Sequence, residues 1–108
     1  MKSMSYAALA LAGFLATGAP AQAEPAPGLA LAQQQNCMSC HSVTRPFMGP
    51  ALHEVAAKYA ARADAQTYLA HKIIDGSTGV WGQVPMPANT QLTPDQAAIL
   101  ASWILTLK

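Results

Sequence analysis

Five consecutive residues, Cys37-Met38-Ser39-Cys40-His41, carry the densest chemistry in the sequence. Two thiols stand three positions apart, and an imidazole follows at once. That C-x-x-C-H arrangement is the pattern for covalent attachment of a c-type haem. Thiols on one turn can each form a thioether to a haem vinyl group. The adjacent imidazole then offers a nitrogen to the iron. A zinc site would need two more close ligands, and the chain has no other cysteine. A redox dithiol of the thioredoxin kind would sit in an α/β pattern, and no stretch reads as a strand. The motif implies one haem c, covalent through Cys37 and Cys40, with His41 as an iron ligand.

The other face of such an iron needs an account too. A methionine, a histidine, a lysine or an open position would each give different chemistry. Met38 lies within the attachment turn and cannot cross the ring. Met48 is close behind His41, with a short reach to the opposite side. Met86 lies in the segment richest in glycine and proline, between Pro85 and Pro87, which restrict the backbone on either side. A stiff segment can present a weak thioether ligand at little entropic cost. Met86 is therefore the favoured ligand, although it could also be a loop methionine touching the core. His53 and His71 are rivals on predicted helices, where a solvated or internally satisfied role is the simpler expectation. Imidazole–thioether ligation raises the reduction potential and favours electron transfer.

These groups must be positioned by a small frame. The chain has 108 residues. Its start does not look like part of the domain. Lys2 precedes an apolar run from Tyr6 to Ala16, and Ala21-Gln22-Ala23 has the small-x-small form of a signal-peptidase site. The run is too short to span a membrane. Residues 1–23 are expected to be a removed signal peptide, leaving 24–108 as the domain. A domain of that size struggles to bury enough surface without a staple, and a tethered haem would be one. Five basic residues (Arg45, Lys58, Arg62, Lys72, Lys108) oppose five acids (Glu24, Glu54, Asp64, Asp75, Asp95) in this part. No basic cluster of the kind that binds nucleic acid or anionic lipid is present.

The pattern predicts only helices. Glu24–Gly28 is expected to be a flexible lead-in, followed by a helix over Leu29–Asn36 that runs into the motif. Ser42–Gly49 is a loop, with Pro50 suited to the first position of the next helix. Leu52, Val55, Ala56 and Tyr59 form an i, i+3, i+4, i+7 stripe. Glu54 and Lys58, four apart, are expected to support that helix. Asp64 is the expected N-cap of a helix over Ala65–Ile74, closed by Asp75-Gly76, with Tyr68, Leu69, Ile73 and the stem of Lys72 inward. Ser77–Thr90 is irregular, with Trp81, Val84 and Met86 as its expected pins. Thr93-Pro94-Asp95-Gln96 is a capping box opening the last helix, whose apolar stripe is Ala97, Leu100, Ala101, Ile104 and Leu105.

On these residues the chain resembles the small bacterial class I monohaem cytochromes c, the c-551/c-552 group. The likeness spans nearly all of residues 24–108. It rests on the attachment motif, on Met48-Gly49-Pro50-Ala51 and on Val55-Ala56-Ala57-Lys58-Tyr59. Most specific is the block Asp75-Gly76-Ser77-Thr78-Gly79-Val80-Trp81-Gly82 followed by Val84-Pro85-Met86-Pro87. The resemblance implies an all-α fold of four or so short helices wrapped around one covalently bound haem. It implies that the Pro50 carbonyl accepts a hydrogen bond from His41 and that Met86 is the sixth ligand. By the same likeness Trp81 bonds a propionate, Lys72 lies near the propionates, and the Asn89 side chain approaches the ligand sulfur. Two positions depart from the family. A glycine before the first cysteine is replaced by Asn36, and an aromatic earlier in the first helix by Ala32. Trp103 must then find other partners, and a looser crossing of first and last helices is expected. Gln83 stands where the family is often richer in proline, which is expected to loosen that loop.

The function implied is a periplasmic electron carrier rather than an enzyme. Its partners would be redox proteins, with membrane or periplasmic donors and a terminal reductase or oxidase. It would be a monomer, without nucleic acid and without stable membrane insertion. Near-neutral charge predicts docking through an apolar patch at the haem edge. A ligand-binding or catalytic haem protein would instead need an open sixth position. A third possibility is a haem subunit held within a larger dehydrogenase or reductase.

Overall fold

The computed structural model describes residues 27–108 together with three isolated positions before them. The expected signal peptide lies outside the continuously described residues. Four α-helices follow in order: α1 Pro27–Gln34, α2 Leu52–Tyr59, α3 Ala65–Asp75 and α4 Pro94–Leu105, with a 3₁₀ turn over Cys37–Ser39. No strand occurs among the described residues, only one isolated antiparallel bridge between Ser77 and Met86. The all-α expectation is met. No helix among them is long and apolar enough to cross a membrane.

Helix α4 is the element against which the other three pack. Its start is local in origin. The Thr93 hydroxyl accepts from the Gln96 N–H at 3.2 Å, and the Gln96 side chain accepts from the Thr93 N–H at 3.0 Å. This box satisfies two donors that the first helical turn would leave orphaned. Ala97, Leu100, Ala101, Trp103 and Ile104 are buried on α4. They meet Leu52, Val55 and Tyr59 from α2 and Leu69 and Ile73 from α3 in one core. Leu100 is fully buried, and each such side chain contributes roughly 1.5–3 kcal/mol relative to exposure. Gln66 on α3 donates to the Ser102 hydroxyl at 2.6 Å and so fastens α3 to α4 at the surface.

The first helix corrects two expectations. Pro27 and Gly28, assigned to a flexible lead-in, belong to α1, and Gly28 is buried. A Cβ on Gly28 would run into the Cβ and Cγ of Trp103. The crossing of α1 and α4 is thus close rather than loose. Trp103, only 8% exposed, packs on the bare backbone at Gly28, a partner other than the aromatic that Ala32 replaces.

Three further details differ from the sequence pattern. Helix α2 begins at Leu52 rather than at Pro50. The Leu52 and His53 N–H groups donate to the carbonyls of Ser42 and Val43, at 2.9 and 3.1 Å. The loop after the cysteines therefore caps the helix and sets its start. Asp64 occupies the N-cap position of α3 but makes no capping bond, because its carboxylate accepts from the Arg62 guanidinium. The expected Glu54–Lys58 pair is not formed. Arg62–Asp64 is the only ion pair among the described residues.

Ser77–Met86 is closed at its base by two backbone bonds. Ser77 N–H donates to Met86 at 3.0 Å, and Met86 N–H donates to Ser77 at 2.8 Å. Val84, expected as a pin, is 61% exposed at the border of the main cavity.

Candidate functional site

His41 follows the 3₁₀ turn, and its N–H donates back to the Cys37 carbonyl at 3.0 Å. The turn carries both thiols: Cys37 and Cys40 are free and half-buried. Burial pushes the Cys37 thiol up from its usual value. A backbone hydrogen bond offsets part of this, and the nearby Cys40 adds to it. The 3₁₀ turn is entered through Asn36, whose φ of 61° lies in the left-handed region. That conformation is natural for glycine and tolerable for asparagine.

The imidazole is fixed in orientation and tautomer. Its Nδ1 lies 2.8 Å from the Pro50 carbonyl oxygen. A carbonyl only accepts, so Nδ1 carries the proton and Nε2 keeps a free lone pair. Gly49 completes this cradle: a Cβ there would fall 2.5 Å from His41 Cε1 and 2.8 Å from Nδ1. The sequence offered a hint of this role, since Gly49 directly precedes the proline that accepts the bond.

His41 faces a cavity of about 370 Å³, within the range of small-molecule and cofactor sites. Cys40 and Met86 both border it, with Leu52, Leu69, Ile73 and Ile104 among its walls. A smaller space of about 30 Å³ is bordered by Cys37, His41, Met86 and Trp103. His41 and Met86 line both. Tyr59 and Tyr68 form a ring pair on the wall with centroids 5.1 Å apart. The Tyr59 hydroxyl is pushed up to about 12, first by burial and then by Tyr68 beside it.

Met86 is carried to the cavity by the bridge to Ser77 and by a close passage over Gly76. Gly76 has φ 75°, and a Cβ there would lie 2.5 Å from the Met86 carbonyl oxygen. Only glycine meets both demands. Lys72 and Trp81 border the same cavity. Lys72 Nζ lies 5.5 Å from the Tyr68 ring centroid. Asn89 does not border it; its side-chain amide donates to the Ile73 carbonyl at 2.9 Å. Its backbone N–H also donates to Ile73 and Ile74, at 3.2 and 3.1 Å. Asn89 thus ties the segment after Met86 to the end of α3. His53 and His71 are exposed and border neither space.

The residues present fit a haem. Cys40 borders the large space and Cys37 the small one, the imidazole with its free Nε2 lines both, and the remaining wall is largely apolar, with Glu54 and Lys72 also on it. The sequence pattern of the family described as Cytochrome c matches residues 25–108. The chain belongs to the cytochrome c family. Cytochrome c-552 of Nitrosomonas europaea is 56% identical over 78 residues, covering 72% of this chain and 76% of that protein. Cytochrome c-551 of Stutzerimonas stutzeri is 48% identical over the full length of both chains. The crystal structure of wild-type Nitrosomonas europaea cytochrome c552 superimposes with a TM-score of 0.73 and 55% identity, covering 74% of this chain and 99% of that one. As a cytochrome c the chain binds haem c covalently through Cys37 and Cys40, with His41 behind them. Its family consists of electron carriers and not of enzymes.

Proposed function

We propose that this chain is a periplasmic electron carrier with one haem whose iron is ligated by His41 and Met86. The observation that carries this reading is that His41 and Met86 both line two largely apolar spaces, one bordered by Cys40 and the other by Cys37. The bound group would supply a one-electron couple. His41 would hold the iron through Nε2, oriented by Pro50. Met86 would hold the iron through its thioether sulfur and so exclude exogenous ligands. Lys72 and Trp81, on the cavity wall, would receive the propionate edge. Asn89 would keep the Met86 segment seated through its bonds to Ile73.

Residues 1–23 would be removed on export, leaving Glu24 at the start of the mature chain. The carrier would act as a monomer and exchange electrons with redox proteins at the exposed cavity rim. Phe47, Met48 and Val84 present apolar surface for docking there; each is more than half exposed.

The test is optical. The ferric holoprotein should be low-spin, with a weak sulfur-to-iron band at the red end. Met86→Ala should abolish that band, lower the reduction potential and admit carbon monoxide to the ferrous form. An unchanged Met86→Ala spectrum would show that another group ligates the iron. N-terminal sequencing of the exported protein checks the cleavage site.

A further inference from the structure

Residues 78–85 form a span with little to hold it. The bridge between Ser77 and Met86 closes its base, and no other backbone hydrogen bond involves any residue between them. Gly79 and Gly82 have φ of 75° and 123°, and neither has any neighbour where a Cβ would be. One side chain of the span reaches back to the helical frame. The Trp81 ring lies under the ammonium of Lys58, with Nζ 4.5 Å from its centroid. Lys58 sits in the last turn of α2. Glu54, four residues earlier, was its expected partner, but the two form no ion pair.

We propose that Lys58 is a positioning residue for Met86, acting through Trp81 to latch the 77–86 span over the cavity. This deepens the Met86 reading and rests on it. A cation over an indole face is attractive because the ring quadrupole presents negative charge there. The contact joins α2, a rigid wall element, to the tip of the span whose base carries Met86. Opening of the span must break it, whereas the bridge and Gly76 act only at the base. A contact of this kind at a half-exposed site shifts such an opening equilibrium by about two- to fivefold.

Imidazole is the probe, since it enters the ferric holoprotein only when the methionine leaves. At saturating imidazole the observed rate reports opening of the span. Lys58→Gln should raise this limiting rate about two- to fivefold. Lys58→Arg, whose guanidinium can stack on the indole, should restore it. In a Trp81→Leu background Lys58→Gln should add nothing further. An unchanged rate in Lys58→Gln, or the same increase with and without Trp81, overturns the latch. If Met86→Ala opens the iron while Lys58→Gln does nothing, only the latch fails. If Met86→Ala leaves the spectrum and the imidazole rate untouched, the ligand assignment fails and the latch fails with it.

Discussion

His41 donates from Nδ1 to the carbonyl oxygen of Pro50 at 2.8 Å, nine residues along the chain. The bond decides which ring nitrogen is available to a metal, because a carbonyl forces the proton onto Nδ1. It also ties the end of the loop that precedes α2 back to the residue after the cysteines. The same loop supplies the Ser42 and Val43 carbonyls that cap α2, so ligand orientation and helix start are set together.

Gly49→Ala follows directly. A methyl group at this position would sit 2.5 Å from His41 Cε1, so either the ring or the backbone must move. The cost expected for such overpacking is about 1–3 kcal/mol. The substitution should lower the urea midpoint and, with His41 as the proposed iron ligand, shift the reduction potential as the imidazole turns. A holoprotein with wild-type potential and midpoint would show that the loop yields freely and does not orient the ring.

Gly28→Ala tests the crossing of α1 and α4. The added carbon would collide with the Trp103 side chain at its Cβ, the stiffest part of that residue. Helix propensity alone favours alanine by about 0.8–1 kcal/mol. The packing clash opposes it and is expected to win by about 1–3 kcal/mol. The urea midpoint should fall with the slope of unfolding unchanged. A rise in stability would mean that α1 can slide off Trp103.

The parts of this molecule that were legible in the sequence are those whose causes are local. Thr93 and Gln96 contain both bonds of their capping box within four residues. Leu52, Val55, Ala56 and Tyr59 lie on one helical face, and all four are buried. Cys37, Cys40 and His41 state their chemistry by spacing alone. What was not legible depends on distant neighbours. Nothing near Gly28 announces that Trp103 will lie on it. Lys58 has an acid one turn away but pairs with Trp81, because the loop delivers an aromatic face that the local pattern does not contain. Asp64 looks like a cap, yet Arg62 reaches its carboxylate first. Asn89 bonds the end of α3 because three-dimensional return of the chain, not sequence proximity, brings Ile73 to it.

Asn36 stands at φ 61°, a conformation that costs most L-residues roughly 1–2 kcal/mol and asparagine less. Asn36→Ala should therefore lose about 1 kcal/mol, whereas Asn36→Gly should not lose stability. For a domain of this size 1 kcal/mol corresponds to roughly 4–8 °C in Tm. The two variants compared by thermal unfolding give the check. Equal behaviour of alanine and glycine would mean that the turn before Cys37 relaxes out of the left-handed region.

Tyr59 supplies a pH prediction. Burial foremost, and then Tyr68, raise its hydroxyl from 10.0 to about 12. Below 10.0 both folded and unfolded chains hold the proton, so the contribution of this residue is fully present. Between 10.0 and about 12 the unfolded chain releases the proton while the folded chain keeps it. Stability then falls as pH rises. Tyr59→Phe has no proton to lose and should fall less steeply across that window. Urea midpoints of both proteins measured through it, compared as differences, isolate this residue. Parallel profiles would show that the hydroxyl titrates alike in both states.

Docking provides the last prediction. Basic and acidic residues balance over 24–108, and the rim beside His41 and Met86 exposes Phe47, Met48 and Val84 at 55%, 60% and 61%. An encounter steered by charge accelerates association by 10–10³ and loses that gain as salt rises. A balanced surface with an apolar rim has little such gain to lose, because desolvation of the rim is insensitive to screening. Electron-transfer rates with a physiological donor or acceptor should therefore change by less than about threefold between low and moderate ionic strength. Val84→Asp should slow them at every salt concentration by placing a charge in the dry contact. A steep fall of the wild-type rate with salt, or an unaffected Val84→Asp rate, would move the docking surface away from this rim.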